Sequence, residues 1–270
     1  MTILHTNDVH SHIDPFPPEH ARYANLGGLA RRATIISKIR EQQPNTLLFD
    51  AGDMFQGTPY FNFYGGELEF RLMSRLKYDA ATIGNHDFDN GIDGLLAQMP
   101  HATFKLISAN YDFKNTVMDG HVEPFKIFHF DGIKVGVYGL GIRLEGLVTK
   151  KLFKETVYLH PYEVALDNER ILKEEHQCDI IICLSHLGYD YLGNVNRPDD
   201  VTLATKTNHT HLIIGGHTHT FLERPTIHKN NMGKPVLVNQ VGCYGLNLGR
   251  IDFLFSEGGP DQIEGYQITV

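Results

Sequence analysis

Hydrophobic and polar positions along this chain alternate between two periods, one of strands and one of helices. Thr2 to Thr6 reads as a first strand running into Asn7-Asp8, and Thr46 to Asp50 is a nearly continuous apolar strand of the kind covered on both faces of a sheet. Between them Gly27-Gly28 opens a helical stretch from about Leu29 to Glu41, with Ile35, Ile36 and Ile39 at helical spacing, and Pro44 closes it. A helix from about Glu67 to Leu76 carries Leu68, Leu72, Met73 and Leu76 on one side, and a strand over Asp79 to Ile83 follows. Phe104 to Ala109 predicts another strand. Phe125 to Phe130 and Lys134 to Gly139 predict a hairpin turned by Asp131-Gly132. Pro161 opens a helix toward Glu175, since proline suits the first helical position, and Asp179 to Leu184 and Leu212 to Ile214 are apolar strands. From Pro225 onward only strands and turns are predicted: Thr226-Ile227, Val236 to Gln240, Leu246 to Phe255 and Tyr266 to Val270.

This alternation predicts an α/β protein, and the all-strand tail points to two packed sheets flanked by helices. No internal repeat, linker or low-complexity run divides the chain, so one domain over residues 1–270 is expected. With 41% hydrophobic and 21% charged residues the composition is that of an ordinary globular protein, which excludes disorder and a small disulfide scaffold. Lys plus Arg number 24 against 32 Asp plus Glu, a net charge of -8, so stable nucleic-acid binding by phosphate neutralisation is not expected. Cys178, Cys183 and Cys243 fit no zinc-binding spacing and read as small buried core residues. No apolar stretch reaches the roughly 18 residues of a spanning helix. The chain also begins without a signal-type apolar segment, which suits a cytosolic protein and a trimmed exported one alike.

Histidine changes the picture, with 16 residues in the chain. His5, His20, His101, His121, His129, His160, His176, His209, His211 and His228 read as ordinary packing or surface residues. Five of the other six gather with acidic and amide side chains in five clusters: Asp8-Val9-His10, Gly52-Asp53, Asn85-His86-Asp87, Ser185-His186 and His217-Thr218-His219. Each cluster lies at or just past the C-terminal end of a predicted strand, where loops of open α/β sheets converge on a site. Asp8, His10, Asp53, Asn85, His186, His217 and His219 are almost wholly metal-capable O and N donors. Seven donors without a well-placed thiolate exceed a structural zinc site and suit a pair of Mn, Fe, Zn, Co or Ni ions more than calcium. Two divalent ions with Asp8, Asp53 and one hydroxide would leave a residual positive charge that attracts a phosphate oxyanion.

The segments DVH (8–10), GD (52–53), GNHD (84–87), SH (185–186) and GHTH (216–219) match, in order, the motifs of the calcineurin-like metallophosphoesterases. Within them HTNDVH, GDMFQGT, LKYDAATIGNHDFDNG, LSHLGYD and VNQVGCYGLNLGRIDF resemble the N-terminal catalytic domain of the 5′-nucleotidase, UDP-sugar hydrolase and 2′,3′-cyclic phosphodiesterase family. That resemblance implies a four-layer α-β-β-α sandwich. It implies one divalent ion on Asp8, His10, Asp53 and His219 and another on Asp53, Asn85, His186 and His217, with Asp53 as bridge and Mn2+, Zn2+, Fe2+ or Co2+ as the metals. It also implies that His86, with Asn85, contacts the substrate phosphate and that His86 assists the leaving oxygen, oriented by Asp89. A carboxylate beside an imidazole raises the imidazolium fraction near neutral pH, which suits that role. Asp87 is expected to support a metal-bound histidine, and Gly52, Gly84 and Gly216 to allow tight backbone paths. Relatives of this type are mostly periplasmic or extracellular.

The family's C-terminal domain, which carries the residues that stack on the base, is expected to be absent. The leading expectation is a dinuclear metal-dependent phosphoester hydrolase releasing phosphate from nucleotides. The alternatives are a 2′,3′-cyclic-nucleotide phosphodiesterase, a broad small-molecule phosphatase, or a catalytic half that needs a separate substrate-binding subunit.

Overall fold

In the computed structural model, which describes residues 1–194, 196–256 and 259–270, the chain forms the strands β1 (Thr2–Thr6), β2 (Thr46–Asp50), β3 (Ala80–Ala81), β4 (Lys105–Leu106), β5 (Tyr111–Asp112), β6 (Phe125–Phe130) and β7 (Ile133–Leu140). They are followed by β8 (Val157–Tyr158), β9 (Ile180–Ser185), β10 (Leu212–Gly215), β11 (Thr226–Lys229), β12 (Pro235–Asn239), β13 (Asn247–Ser256) and β14 (Gly259–Thr269). The helices are α1 (Leu29–Gln42), α2 (Pro59–Tyr64), α3 (Glu67–Arg75), α4 (Gly91–Gln98), α5 (Lys150–Phe153), α6 (Pro161–Arg170) and α7 (Asp200–Lys206).

Two six-stranded sheets result, in the orders β14-β13-β1-β2-β3-β4 and β11-β12-β10-β9-β7-β6. Each has a parallel centre and antiparallel pairings at its margin: β1 to β4 run parallel while β13 pairs antiparallel with both β1 and β14, and β12, β10, β9 and β7 run parallel while β11 and β6 pair antiparallel at the edges. The two-residue alternation of a strand sends successive side chains into different layers. Ile3, Leu47 and Phe49 face Val137, Ile182 and Ile214 across the space between the sheets. Their sequence neighbours Leu4 and Leu48 turn outward onto Ile36, Phe70 and Met73 of the helices on one side. On the other side Ile181, Cys183 and Ile213 pack against Ala165, Leu203 and Ala204. Three apolar seams between four layers therefore hold helix, sheet, sheet and helix together, the expected sandwich.

Most predicted elements stand where the periodicity put them, with differences at their ends. The predicted strands over 79–83 and 104–109 shorten to two residues each, although backbone bonds from Asp79 to Leu48 and from Ile107 to Ala81 extend the ladder beyond them. Asp131 (φ 45°) and Gly132 (φ 85°) make the expected tight hairpin turn, both in the left-handed region that such turns require. The helix from Pro161 continues past Arg170 as a wider π turn over Ile171–Glu175. The pattern passes over α2, α5 and α7, each of seven residues or fewer. Helix α7 is started by Asp199, whose Oδ1 accepts the Thr202 N–H at 2.7 Å. All three cysteines are free and buried. Among the described residues no helix is long and apolar enough to cross a membrane.

His5 shows how tightly the inner layers are closed. It is fully buried in β1, and its Nε2 accepts the Asn239 Nδ2 donor at 2.9 Å. Burial pushes its pKa down from 6.5 to about 3. The unfolded chain therefore takes up this proton first, and stability falls as pH drops below 6.5. Between pH 7 and pH 5 this one group should cost about 2 kcal/mol. Urea melts at both pH values should show that loss reduced by about this amount in His5→Gln, and equal losses in the two proteins would contradict it.

Candidate metal centre

The parallel strands of both sheets end along one edge, and the clusters singled out in the sequence hang from it. Asp8 and His10 follow β1, Asp53 follows β2, Asn85 and His86 follow β3, His186 follows β9, and His217 and His219 follow β10. To reach one another these loops turn sharply. Asp8, His10, Asp53, His217 and His219 all adopt left-handed backbone, with φ of 50°, 50°, 55°, 73° and 51°. Residues with a side chain rarely take that conformation, and where they do the surrounding structure holds a strained geometry in place.

The convergence yields two groups, Asp8 with His10 and His219, and Asp53 with His186 and His217; within each, one ligand atom per residue lies within 4.8 Å of the others. In the first, His10 Nε2 is 3.1 Å from His219 Nε2, and His219 Nε2 is 3.3 Å from Asp8 Oδ1. In the second, His186 Nε2 is 3.1 Å from Asp53 Oδ2, and Asn85 Oδ1 joins at 2.9 Å from His217 Nδ1. Asp53 Oδ2 lies between the groups, 3.9 Å from His10 Nε2 as well. The other oxygen, Oδ1, accepts the His86 backbone N–H at 2.8 Å, so a single carboxylate oxygen faces both groups.

The atoms turned away from the centre fix the ring orientations. His186 Nδ1 donates to the Ala51 carbonyl at 2.6 Å and His10 Nδ1 to the Phe55 carbonyl at 3.2 Å, which leaves each Nε2 directed inward. His186 Nε2 is wholly buried and makes no hydrogen bond, because its approach to Asp53 lies off the hydrogen-bonding direction. His10 Nε2 and His219 Nε2 lie within hydrogen-bonding distance of each other, as do Asn85 Oδ1 and His217 Nδ1, so the donor atoms are close enough to share cations, and the mixed imidazole, carboxylate and amide set suits transition ions. Asp8 is steadied by Asn7, whose Nδ2 donates to Asp8 Oδ2 at 2.7 Å, and by the His217 N–H at 3.0 Å.

Asp87 does not support a metal-bound histidine as expected. Its carboxylate accepts four backbone N–H groups: Met54 and Phe55 on Oδ1 at 2.9 and 3.2 Å, and Asp53 and Gly84 on Oδ2 at 3.1 and 2.8 Å. It thereby clamps the Asp53 loop to the Asn85 loop. The close approach continues at Gly84 and Gly216, where a Cβ would stand 2.2 Å from Asp53 Oδ1 and 2.7 Å from His186 Nδ1. His86 stands beside the cluster, its ring centroid 5.3 Å from that of His10 and its Nδ1 2.8 Å from Asp89 Oδ2. The hydrogen bond to Asp89, opposed by partial burial, raises the His86 pKa above its usual value.

Sequence reasoning missed Asn7, which lies inside the motif HTNDVH, and Asp200, a buried acid behind β9 whose Oδ1 accepts the Ser185 hydroxyl at 2.5 Å. Cys243, buried as expected, also lies beside His219. His12 received no role and borders the centre with Tyr244. Nothing local marks Asp200, and Tyr244, though inside VNQVGCYGLNLGRIDF, is placed by neighbours from distant loops.

A family model for calcineurin-like phosphoesterases matches residues 1–221. The chain is 32% identical to the trifunctional nucleotide phosphoesterase YfkN of Bacillus subtilis, with 100% of this chain and 19% of that protein aligned. It is 32% identical to the 5′-nucleotidase of Homo sapiens over 96% of this chain and 47% of the relative. The solved structure of a 5′-nucleotidase precursor from Thermus thermophilus superposes with a TM-score of 0.89 at 33% identity, covering 100% of this chain and 54% of that one. This chain thus spans about half the length, or less, of the proteins it matches here.

The electrostatics of the cluster carry a prediction. Burial would lower the His186 imidazole, but Asp53 and Asp8 bring its pKa up to about 10. His219 is likewise desolvated and brought up to about 10 by Asp8 and Cys243. Burial takes His217 down to about 4, and it lowers His10 against the pull of Asp53 and Asp8. Burial would raise Asp53, yet His186 and His10 hold it below the usual carboxylate range. At pH 7 two imidazolium protons therefore stand opposite two carboxylates, and cations must displace them. Calorimetric titration of the metal-free chain with Mn2+ at pH 7, in buffers of different ionisation enthalpy, should register release of about two protons. Enthalpies independent of the buffer would contradict it.

Proposed function

The chain belongs to the calcineurin-like phosphoesterase family, and from that premise we propose that it hydrolyses nucleoside 5′-monophosphates at a centre of two divalent ions. The observation that carries this reading is the pair of inward-facing donor groups sharing Asp53 Oδ2, with the His86–Asp89 pair beside them. In it Asp8, His10, Asp53 and His219 would hold one ion and Asp53, Asn85, His186 and His217 the other, the metals being Mn2+, Zn2+, Fe2+ or Co2+, and ions held there would supply an activated water and stabilise charge on the transferring phosphoryl group.

The chain's own residues do the rest. His86, half exposed and held by Asp89, presents its Nε2 proton to the ribose oxygen as that oxygen leaves. An alkoxide is a poor leaving group, and a proton delivered in the transition state lowers the barrier where it is highest. Asn85, whose Oδ1 lies 2.9 Å from His217 Nδ1, contacts the phosphate. The Asp87 clamp holds Asp53 and Asn85 in register through the Gly84 and Asp53 N–H groups. The 270 residues form the catalytic domain for this reaction. Of the other readings, the cyclic diesterase and the partner-dependent half-enzyme are not favoured, since several relatives are named 5′-nucleotidases.

Rate against pH with AMP and Mn2+ tests this assignment. Asp53→Asn should lower kcat/KM by more than about 100-fold, the upper end of what losing an outer support of a metal ligand costs. Asp89→Asn should move the alkaline limb of the profile to lower pH, because loss of the carboxylate lowers the His86 pKa and the proton is lost earlier. Phosphate release unchanged in Asp53→Asn, or an alkaline limb that stays in place in Asp89→Asn, would overturn the roles given to these residues.

A further inference from the structure

A cavity of about 620 Å3 opens beside the donor cluster, with His10, His86 and His219 in its lining. That volume suits a nucleotide-sized ligand. Much of the remaining lining is aromatic and comes from two segments, the loop after His10 and the turn before β13, where Tyr244 sits inside the stretch VNQVGCYGLNLGRIDF. Phe16 stacks on His12 with ring centroids 5.0 Å apart and planes 26° apart. Tyr244 lies 4.3 Å from His12 and 5.9 Å from Phe16. The same tyrosine ring is 6.0 Å from His10 and 5.8 Å from His219, so one aromatic surface runs without a break from the metal ligands outward.

Two features separate this surface from a small satellite core. His12, Phe16, Tyr23 and Tyr244 are each only partly buried, so ring surface remains open to the cavity. Tyr244 is also held in a left-handed conformation, with φ 61°, that bulky residues rarely adopt. Its N–H donates to the Asp8 carbonyl at 2.7 Å, which fixes the ring relative to a metal-ligand loop. Strain of this kind concentrates where a side chain must be aimed at a ligand.

We propose that this aromatic wall stacks against the planar base of the substrate, with Phe16 and Tyr244 as specificity-determining residues supplied by the catalytic domain itself. The inference rests on the phosphomonoesterase reading above and adds to it a position for the leaving group. A substrate whose phosphate meets His86 and Asn85 extends its base along the Tyr244 side of the cavity. Stacking engages the face of a ring rather than its edge, so purine and pyrimidine bases are both accepted.

AMP and ribose 5-phosphate differ only by the base, and comparing them on the Mn2+-loaded chain isolates the wall. The wild-type protein should prefer AMP by about tenfold in kcat/KM, chiefly through KM, which is the low end of what one stacked ring supplies. Phe16→Leu and Tyr244→Leu, which keep bulk and remove the ring face, should each shrink that ratio toward one. Phe16 makes no contact with a metal-ligand backbone, so its variant keeps the test valid if Tyr244→Leu disturbs the Asp8 loop. A second readout needs neither metal nor turnover: saturation-transfer NMR with adenosine should show contact with the wild-type chain that weakens in Phe16→Leu. Equal rates on the two substrates in the wild type, or an AMP preference that survives in both variants, would overturn the proposal. If neither substrate is hydrolysed while adenosine still loses contact in Phe16→Leu, the wall stands and the monoesterase reading falls. If both are hydrolysed and adenosine makes no contact, the reverse holds.

Discussion

Two carboxylates, Asp8 and Asp53, are buried at the same edge of the fold with the imidazoles of His10, His186, His217 and His219 around them. Like charges out of water repel, and this arrangement is stable only with compensating positive charge between them. Protons on His186 and His219 supply it in part, and divalent cations supply it more fully. Much else in the architecture serves to bring these groups into contact and keep them there. Five of the seven donors sit in left-handed backbone, each at a cost of order 1 kcal/mol. Sheets with three closed apolar seams provide the rigidity that makes such a concentration of strain affordable.

The supporting bonds fall into a pattern. Carbonyls of Ala51 and Phe55, each next to the Asp53 segment, orient His186 and His10. The Asp87 carboxylate gathers N–H groups from that same segment and from Gly84. The loop after β2 is therefore the keystone to which the Asp8–His10, Asn85–Asp87 and His186 clusters are tied, while His217 is tied through its N–H to Asp8. It follows that a change at Asp87, which has no place in the donor set, disturbs ligands from both groups. His86 is tied into the same loop through its backbone N–H on Asp53 Oδ1, so the proton donor and the shared carboxylate cannot move independently.

Much of this was legible in the residues alone. β1 and β2 are found at their predicted bounds because they are continuous apolar runs buried on both faces. The five clusters declared themselves by composition, since metal-capable donors at strand ends are a restricted set of residue types. The resemblance carried the pairing of donors, which spacing alone left open. What stayed hidden depends on contacts across long stretches of chain. The short β3 and β4 are defined by neighbours in the sheet rather than by their own pattern. Asp87 stands inside the GNHD motif, but only the fold reveals that four N–H groups point at it. Tyr244 lies more than two hundred residues from His10, and although the stretch VNQVGCYGLNLGRIDF contains it, nothing in the sequence assigns it a place beside the site.

The central claim is that Asp53 stands between two ions, and anomalous diffraction from Mn2+-soaked crystals at the manganese edge tests it most directly. The account predicts two peaks about 3.5–4 Å apart, one among Asp8, His10 and His219 and the other among Asn85, His186 and His217, with Asp53 Oδ2 within bonding distance of both. A single peak, or peaks that leave Asp53 unligated, would contradict it.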